Sequence, residues 1–293
     1  MNMYRILCNP QAGNGKGREE TEKLVARMVG EKTELIDMTT LGSYADFFAA
    51  CAPDDRILIT GGDGTLNRFL NDTAGLTYRN PIYYYPVGSG NDFWRDIAAP
   101  GTDTPLCIDR YLVNLPTVEV NGKTYRVLNG VGYGIDGYCC EVGDRLRASS
   151  DKPVNYAAIA IKGLLFHFHP VNAKITVDGV EHEFCKVWLA PTMNGHYYGG
   201  GMMPTPAQDR LGEEHTISTM VMHGTGKLRT LIIFPSLFKG EHIRHKNAVE
   251  VMTGKDITVS FDRPTALQID GETILGVTSC RIRAAAKVPS SVL

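Results

Sequence analysis

The sequence of 293 residues is long enough for two domains of ordinary size, or for one large domain. Hydrophobic residues make up 43% of it and charged residues 21%, a globular composition that excludes a disordered, collagenous or coiled-coil chain. The formal net charge is −2, so nucleic acid is not an expected partner, because proteins that bind it usually present a strongly basic face.

Cysteine spacing and hydropathy indicate the compartment. None of the seven cysteines has C-x-x-C spacing, which argues against a zinc site or redox motif and favours a reducing, cytoplasmic compartment. The N-terminus opens with an expected strand rather than a signal peptide. The longest apolar runs, residues 159–168 and 231–238, are interrupted and fall short of the ~20 residues that span a bilayer. We therefore expect only peripheral membrane contact, at the inner membrane face.

Short apolar runs alternate with helical patterns over the first hundred residues. The predicted strands are Tyr4 to Cys8, Thr33 to Asp37, Arg56 to Thr60 and Ile82 to Val87. The predicted helices are Arg18 to Val29, Tyr44 to Cys51 with Ser43 as N-cap, a segment that contains Asn67 to Leu70, and one that starts over Asn91 to Ile97. This alternation predicts βαβ units and a doubly wound parallel sheet.

The pattern changes after about residue 115 to hairpins with inserted helices. Asn121-Gly122 and Asp178-Gly179 each separate two strand-like runs, as in hairpins with type I′ turns. The other expected strands are His215 to Met222, Val249 to Met252, Ile257 to Phe261, Ala266 to Ile269 and Ser279 to Arg283. The expected helices are Tyr138 to Ala148, Tyr156 to Phe166 and Lys227 to Phe238. This half is therefore predicted to be a largely antiparallel β domain.

The strongest local signal is Gly61-Gly62-Asp63-Gly64-Thr65, between a predicted strand and a predicted helix. Ligands of open parallel sheets bind beyond the carboxyl ends of the strands. Glycines let the backbone approach an anion there, and a helix N-terminus adds positive partial charge. Asp63 repels a phosphate, so it suits a site with a divalent cation in between, or else it orders the loop. A plain turn is the alternative for the pentapeptide alone.

Two more glycine-containing turns are predicted at the same sheet edge, Asn9 to Gly13 and Pro86 to Phe93. The first matches neither a P-loop nor a Rossmann fingerprint. Asp37 ends the second strand, where a ribose-binding acid would belong. Three such turns at one edge are hard to explain by packing alone, so the sequence predicts a phosphate-binding site.

These motifs together resemble the diacylglycerol kinase catalytic domain family, which includes sphingosine kinases and soluble bacterial lipid kinases. The resemblance rests on the order and spacing of the three turns, and it continues into the second half. The matching segments there are Asn129-Gly130-Val131-Gly132-x-Gly134-x-Asp136 and Asp270-Gly271-Glu272. The Gly-Gly-Asp-Gly-Thr motif alone is shared with nicotinamide dinucleotide kinases.

The resemblance implies an N-terminal nucleotide-binding α/β domain, residues 1–115, and a C-terminal antiparallel β-sandwich domain, residues 116–293. The C-terminal tail of such a protein can return to the first domain, and catalysis takes place in the cleft between the two. The implied reaction is transfer of the γ-phosphoryl group of ATP, with Mg²⁺, to a lipid hydroxyl at a membrane surface. Diacylglycerol is the expected acceptor and phosphatidic acid the product.

The family motifs also imply residue roles. The expected ATP-binding residues are Asn9, Gly13, Thr39, Gly61, Gly62, Asp63, Gly64, Thr65, Asn67, Ser89 and Asp92. Asp63 and Asp92 are the implied metal ligands. Asp63 and Glu272 are the implied catalytic residues, with Glu272 as general base. For Asp270-Gly271-Glu272, an ordinary acidic turn is the alternative reading.

Two departures from the family pattern stand out. Arg68 stands where the family usually has Glu after Asn67, and it either pairs with a carboxylate or faces the cleft. The segment Leu211 to His215 lacks the Asp-Gly of the family's structural metal loop, so we do not expect a structural Mg²⁺ there.

Three questions remain open at this point. Lys227 to Lys246 mixes basic and apolar residues, so it either docks on an anionic membrane or packs as an amphipathic helix on the β domain. An exposed strand edge could support a homodimer. The alternative functions are a kinase for a soluble alcohol such as a dinucleotide, and a nucleotide- or lipid-binding protein without turnover.

Overall fold

The structure is a computed structural model that describes residues 3–88, 90–149 and 156–286. The chain divides into two units, Met1–Val113 and Asn114–Leu293. Within the described ranges no helix combines the length and the hydropathy needed to cross a membrane.

The first unit contains a five-stranded sheet in the order β2-β1-β3-β4-β5. Its strands are β1 Met3–Cys8, β2 Lys32–Asp37, β3 Arg56–Gly61, β4 Ile82–Pro86 and β5 Leu106–Cys107. Its helices are α1 Ala12–Gly15, α2 Gly17–Arg27, α3 Tyr44–Ala49, α4 Asp63–Asp72, α5 Asp92–Ile97 and α6 Asp109–Leu112, with a 3₁₀ turn at Met38–Thr40. β1 to β4 are parallel, which confirms the predicted α/β fold, and β5 adds an antiparallel edge strand.

Burial explains why the central strands form. Ile6, Leu58 and Ile59 are fully buried, as expected for parallel strands with helices on both faces. Leu24 of α2 packs against β1 and β3 in the same core cluster as Ile6 and Leu58. The Ser43 hydroxyl accepts a hydrogen bond from the Asp46 amide, which confirms Ser43 as the N-cap of α3.

The second unit contains a ten-stranded antiparallel arrangement, the predicted β-sandwich. Its strands are β6 Thr117–Val120, β7 Lys123–Arg126, β8 Gly130–Tyr133, β9 Val171–Val177, β10 Val180–Val187, β11 Thr192–Met193, β12 Ile217–Met222, β13 Val249–Gly254, β14 Asp256–Ile269 and β15 Glu272–Arg283. The order is β13-β12-β11-β8-β14-β15-β6-β7, and β9 pairs with both β14 and β10. One apolar cluster, which includes Val131, Ile175, Val259 and Leu267, fills its interior.

Helices cover part of this second unit. They are α7 Ile135–Ser149, α8 Tyr156–Lys162 and α9 Lys227–Ile233, with a π-helix at Gly163–His167 and 3₁₀ turns at Phe234–Lys239 and Glu241–Arg244. A second apolar cluster, which includes Ile135, Leu164, Trp188 and Ile233, packs these helices on the strands.

All three dipeptides Asn121-Gly122, Asp178-Gly179 and Asp270-Gly271 form the tips of hairpins. Both residues of each pair have positive φ, between 48° and 94°. This is the backbone conformation of a type I′ turn, which matches the right-handed twist of the flanking strands. The turn type predicted for the first two hairpins is therefore confirmed.

Several predicted element boundaries were wrong. α2 ends at Arg27 rather than Val29, whose side chain is 90% exposed. β12 begins at Ile217 because His215 has a φ of 47°, which a strand does not accept. The helix predicted over Lys227 to Phe238 is α9 followed by a 3₁₀ turn, since Pro235 has no N–H to donate.

Strand continuity was also misjudged. The two strands predicted at Ile257 to Phe261 and Ala266 to Ile269 form one strand, β14, whose pairing with β15 shifts in register between Ser260 and Leu267. The strand predicted at Ser279 to Arg283 is the end of β15. The strands β5, β8 and β11 were not predicted. They are short or glycine-rich and show no apolar alternation.

A partly buried ion pair stabilises the first unit. Asp55 is 3% exposed, and its Oδ2 accepts hydrogen bonds from Arg5 Nε at 2.8 Å and from the Ala52 amide at 2.9 Å. Burial raises the pKa of Asp55, but the hydrogen bonds and charge of Arg5 outweigh it, so the pKa lies below its usual 3.8. The carboxylate therefore stabilises the fold above about pH 4, and this contribution is lost as the pH falls through the lowered pKa.

Asp55→Asn should lower the free energy of unfolding of the first unit by about 1–3 kcal/mol at neutral pH. The difference from the parent should shrink as the pH falls through the lowered pKa, because Asp55 then becomes protonated in the folded state as well. Urea unfolding followed by Trp94 fluorescence in a Trp188→Phe background measures the first unit. Asp54→Asn, which removes the same charge from an exposed neighbour, is the matched control. A pH-independent difference, or an equal effect of both variants, would contradict the assignment.

Candidate functional site

The three glycine-containing turns predicted at the edge of the first sheet lie side by side. The Asn9 amide donates to the Thr60 carbonyl at 3.1 Å, and the Val87 amide donates to the Gly61 carbonyl at 2.9 Å. The turns after β1, β3 and β4 are therefore joined by backbone hydrogen bonds, as the topology of a parallel sheet predicts.

Asn9 links the first turn to the helix after the second. Its Nδ2 donates to the Thr65 hydroxyl at 2.8 Å, and its Oδ1 accepts from the Gln11 amide at 3.0 Å. Thr65 is 8% exposed and its amide donates to the Gly62 carbonyl. Two of the predicted nucleotide-binding residues, Asn9 and Thr65, thus contact each other directly.

Glycine is required where the turns approach most closely. A Cβ on Gly88 would lie 2.5 Å from the Gly62 Cα and 2.9 Å from the Gly62 amide nitrogen. Gly13 has a φ of 59°, and a Cβ there would lie 2.5 Å from the Val87 carbonyl oxygen. Since these neighbours are backbone atoms, they cannot move aside as a side chain could. The result is a surface of bare backbone beside the N-terminus of α4.

Asp63, the acidic residue of the pentapeptide, fastens the third turn to the second. Its Oδ2 accepts the Asp92 amide at 2.7 Å, and its Oδ1 accepts the Phe93 amide at 3.1 Å. These are the first amides of α5, so the carboxylate also opposes the positive end of that helix. Of the two roles left open by the sequence, ordering the loop is the one seen here. Metal binding stays a prediction.

Two further residues contribute to this site, although the sequence assigned no role to either. Tyr84 is fully buried, and its hydroxyl donates to the Gly61 carbonyl at 3.1 Å. Burial, and second the charge of Asp63, raise the pKa of Tyr84 well above its usual value, so it remains a donor at neutral pH. Asn91 Nδ2 donates to the Gly88 carbonyl, while its buried Oδ1 accepts no hydrogen bond from the described residues. Neither role has a signal in a single sequence.

The other predicted nucleotide-binding residues differ in their burial and in their hydrogen-bond partners. Asn67 is buried on α4, where its carbonyl and Oδ1 accept from the Asn71 amide group. The Thr39 hydroxyl and amide both donate to Asp37 Oδ1 in an exposed turn after β2. These bonds lower the pKa of Asp37. Asp92 is buried at the start of α5, and Ser89 lies outside the described residues.

Arg68, the departure from the family pattern, lies on the exposed side of α4. The pKa of Tyr44 is raised to about 12, by burial first and by Asp72 second, and the positive charge of Arg68 opposes that rise. Arg68 therefore lies near Tyr44 and one helical turn from Asp72. These surroundings favour pairing with a carboxylate.

The two acidic residues of Asp270-Gly271-Glu272 have different surroundings and different roles. The Asp270 carboxylate accepts the amides of Leu128, Asn129 and Gly130, at 2.6, 2.7 and 3.0 Å. Asp270 is 8% exposed, so this is a buried clamp on the segment that enters β8. Glu272 is exposed at the start of β15, opposite Ile269 in the ladder. Only Glu272 presents its side chain outward.

Glycines of β8 make room for α7. A Cβ on Gly132 would overlap the Asp136 carboxylate and lie 2.8 Å from Gln268 Nε2. Gln268 Oε1 accepts the Gly271 amide at 2.6 Å, within the turn that precedes Glu272. The Thr273 hydroxyl donates to Asp144 of α7 at 2.7 Å. The start of β15 is therefore held from both sides.

Arg210 directly precedes Leu211 to His215, the segment that lacks the Asp-Gly of the metal loop considered in the sequence. Its guanidinium donates to the Leu128 carbonyl at 3.1 Å and to Asn129 Oδ1 at 3.0 Å. Over residues 3–88, 90–149 and 156–286, no three or more His, Cys, Asp or Glu side chains are grouped to hold a metal ion.

Comparison with known proteins places this geometry in a family. Residues 3–118 match the model of the diacylglycerol kinase catalytic domain, and residues 129–289 match that of the YegS C-terminal NAD kinase beta sandwich-like domain. The chain belongs to the diacylglycerol kinase catalytic domain family. The family predicted from the sequence is thereby confirmed, and the protein is a kinase of the diacylglycerol kinase-like lipid kinase type.

Relatives in this family match along most of their length. A diacylglycerol kinase of Mycobacterium tuberculosis (strain H37Rv) is 25% identical over 88% of this chain and 84% of its own. A diacylglycerol kinase of Bacillus subtilis (strain 168) is 24% identical over 93% and 90%. A crystal structure titled "putative diacylglycerol kinase from Bacillus anthracis str. Sterne" is 22% identical, with a TM-score of 0.65 over 96% of this chain and 92% of that one. The last likeness confirms the fold.

Gly88→Ala should destabilise the first unit by about 1–3 kcal/mol, because the added Cβ must displace the backbone of Gly62. Gly90→Ala is the matched control, since a Cβ there meets no atom of the described chain within 4 Å and φ is not positive. Urea unfolding followed by Trp94 fluorescence in a Trp188→Phe background measures the difference. Equal stability of the two variants would show that the close approach of the turns is not needed.

Proposed function

We propose that this kinase transfers the γ-phosphoryl group of ATP to a lipid hydroxyl, with diacylglycerol as acceptor and phosphatidic acid as product. The proposal rests on the close approach of Gly62 and Gly88 beside the N-terminus of α4, in a chain of this family. The curated relatives named diacylglycerol kinase support the acceptor.

The geometry of the turns suits a polyphosphate. α4 is a ten-residue helix, and its N-cap is Gly62, which contributes no side chain to that end of the helix. Backbone N–H groups and the helix dipole favour an anion at such an end. Bare backbone at Gly13, Gly62 and Gly88 lets phosphate oxygens approach without meeting side chains.

The acidic residues suit a magnesium ion held mainly by phosphates. Mg²⁺ usually binds through one or two carboxylates together with substrate phosphates, rather than in a cage made only of protein groups. Asp63 and Asp92 are the residues that would hold it. Each carboxylate oxygen of Asp63 accepts a backbone amide, and carboxylate oxygens are the protein ligands that Mg²⁺ prefers. When bound, Mg²⁺ neutralises charge that develops on the phosphates.

The proposed contribution of the chain is positioning and proton transfer. Phosphoryl transfer passes through a loose transition state, so catalysis depends on alignment and charge stabilisation. Asn9, Thr65 and Asp63 hold the turns in place through the contacts described above. Glu272, as general base, accepts the proton of the acceptor hydroxyl. The Asp270 clamp and the Thr273–Asp144 hydrogen bond fix the backbone on both sides of it.

The acceptor is tested with γ-labelled ATP and Mg²⁺ against vesicles that contain diacylglycerol, a lipid extract and soluble alcohols, including a dinucleotide. The proposal predicts label in phosphatidic acid. Label only in a soluble acceptor would favour the dinucleotide-kinase alternative. Binding of ATP, measured by thermal shift, without transfer to any acceptor would favour a binding protein without turnover.

Glu272→Gln should reduce kcat by about 10²- to 10⁴-fold, because an amide cannot accept the hydroxyl proton. Its thermal midpoint should match the parent, since Glu272 is exposed. Glu250→Gln, at another exposed strand position of the second unit, is the matched control and should keep full activity. Full activity of Glu272→Gln would remove Glu272 as the base while leaving the acceptor assignment intact.

Two expectations stay predictions beside this proposal. A cytoplasmic location and a homodimer each need their own measurement, by cell fractionation and by sedimentation equilibrium respectively. The strands of the second sheet with a single neighbour, β13, β7 and β10, are the edges at which a second copy could pair.

A further inference from the structure

The α9 helix exposes large apolar side chains that its own packing does not need. Leu228 and Ile232 are each 76% exposed, and their i,i+4 spacing places them on one face. The opposite face buries Thr230 and Ile233. The helix is therefore already anchored by its inner face, and its apolar outer face remains in solvent.

The neighbouring α8 and π-helix also expose large apolar side chains. Phe166 is 68% exposed and Ile161 is 49% exposed. The Lys227 ammonium donates to the Leu165 carbonyl at 2.8 Å, so the start of α9 lies against the π-helix beside Phe166. Leu164 and Ile233 share one core cluster beneath the two elements. Exposed apolar side chains thus come from two adjoining elements rather than from isolated positions.

Basic residues are frequent in the elements that expose these apolar side chains. The segment 227–246 contains five Lys and Arg residues and a single acidic residue, Glu241, although acidic residues slightly outnumber basic ones over the whole chain. Arg229 and Lys239 are exposed in this segment, and Lys162 is exposed on α8. Positive charge is therefore concentrated where the apolar side chains are.

We propose that this docking face, formed by Ile161, Phe166, Leu228, Arg229 and Ile232, binds the surface of an anionic lipid bilayer. Apolar side chains that alternate with cations on short helices fit the boundary between headgroups and acyl chains. Exposed apolar groups of this size rarely lie together on a surface that contacts only water. The docking face deepens the proposed function by bringing the enzyme to a membrane-bound acceptor, but it binds lipid without any phosphoryl transfer.

Vesicle co-sedimentation tests the docking face with the full-length enzyme and no ATP. The probe is phosphatidylcholine vesicles with and without about one-third phosphatidylglycerol. The wild type should bind the anionic vesicles and release them as salt rises. Leu228→Ser/Ile232→Ser should bind at least about tenfold more weakly. Val29→Ser/Val180→Ser removes two other exposed apolar side chains, 90% and 61% exposed, and should bind as the wild type does.

The outcomes separate this proposal from the kinase assignment. Circular dichroism and Trp188 fluorescence first establish that the variants are folded. Leu228→Ser/Ile232→Ser should still phosphorylate a short-chain diacylglycerol dispersed as monomers at the wild-type rate. Vesicle binding without activity on any acceptor would contradict the proposed function but would still support the docking face.

The docking face is overturned if Leu228→Ser/Ile232→Ser binds anionic vesicles as tightly as the wild type. It is also overturned if the wild type does not bind such vesicles. If the double variant instead converts a dimer to a monomer without any change in vesicle binding, the face is an interface between copies of this chain.

Discussion

The Asp63 carboxylate is the interaction on which the first unit's site depends. Two loops that leave neighbouring strands, β3 and β4, meet backbone to backbone at Gly62 and Gly88, where no side chain can help to join them. Besides the backbone hydrogen bond from the Val87 amide to the Gly61 carbonyl, Asp63 joins them by accepting the first two amides of α5. A carboxylate inside a phosphate-binding motif thus has a structural reason to be there, before any metal is considered.

The second unit uses the same device. Asp270 stands in a glycine-containing turn and accepts three consecutive backbone amides, as Asp63 accepts two. Charge-assisted hydrogen bonds of this kind are roughly twice as strong as neutral ones and fix a loop without bulky packing. In both motifs the carboxylate accepts backbone amides and holds its loop in place, so that neighbouring groups are left to face a ligand. At Asp270-Gly271-Glu272 the neighbouring group is Glu272, which we propose as the base.

The sequence predicted the features that depend on local chemistry. Alternating βαβ segments, the type I′ turn at Asn121-Gly122 and the Ser43 cap each follow from residues next to one another in the chain. Contacts between distant residues were not predictable in this way. Tyr84 and Gly61, which share a hydrogen bond, are 23 residues apart in the sequence, and Asp270 and Leu128 are 142 residues apart. Such partners depend on tertiary packing, which a single sequence does not show. Tertiary packing also requires glycines in β8, where α7 approaches closely, and these glycines remove the apolar alternation by which a strand is recognised.

Hydrogen exchange at the start of α5 tests the central claim most directly. The amides of Asp92 and Phe93 donate to Asp63, so Asp63→Asn, which loses the charge and one acceptor oxygen, should speed their exchange at least about tenfold. The amides of α2, in the same unit, should exchange as in the wild type. Unchanged exchange at Asp92 and Phe93 would show that the two loops are held together by something other than this carboxylate.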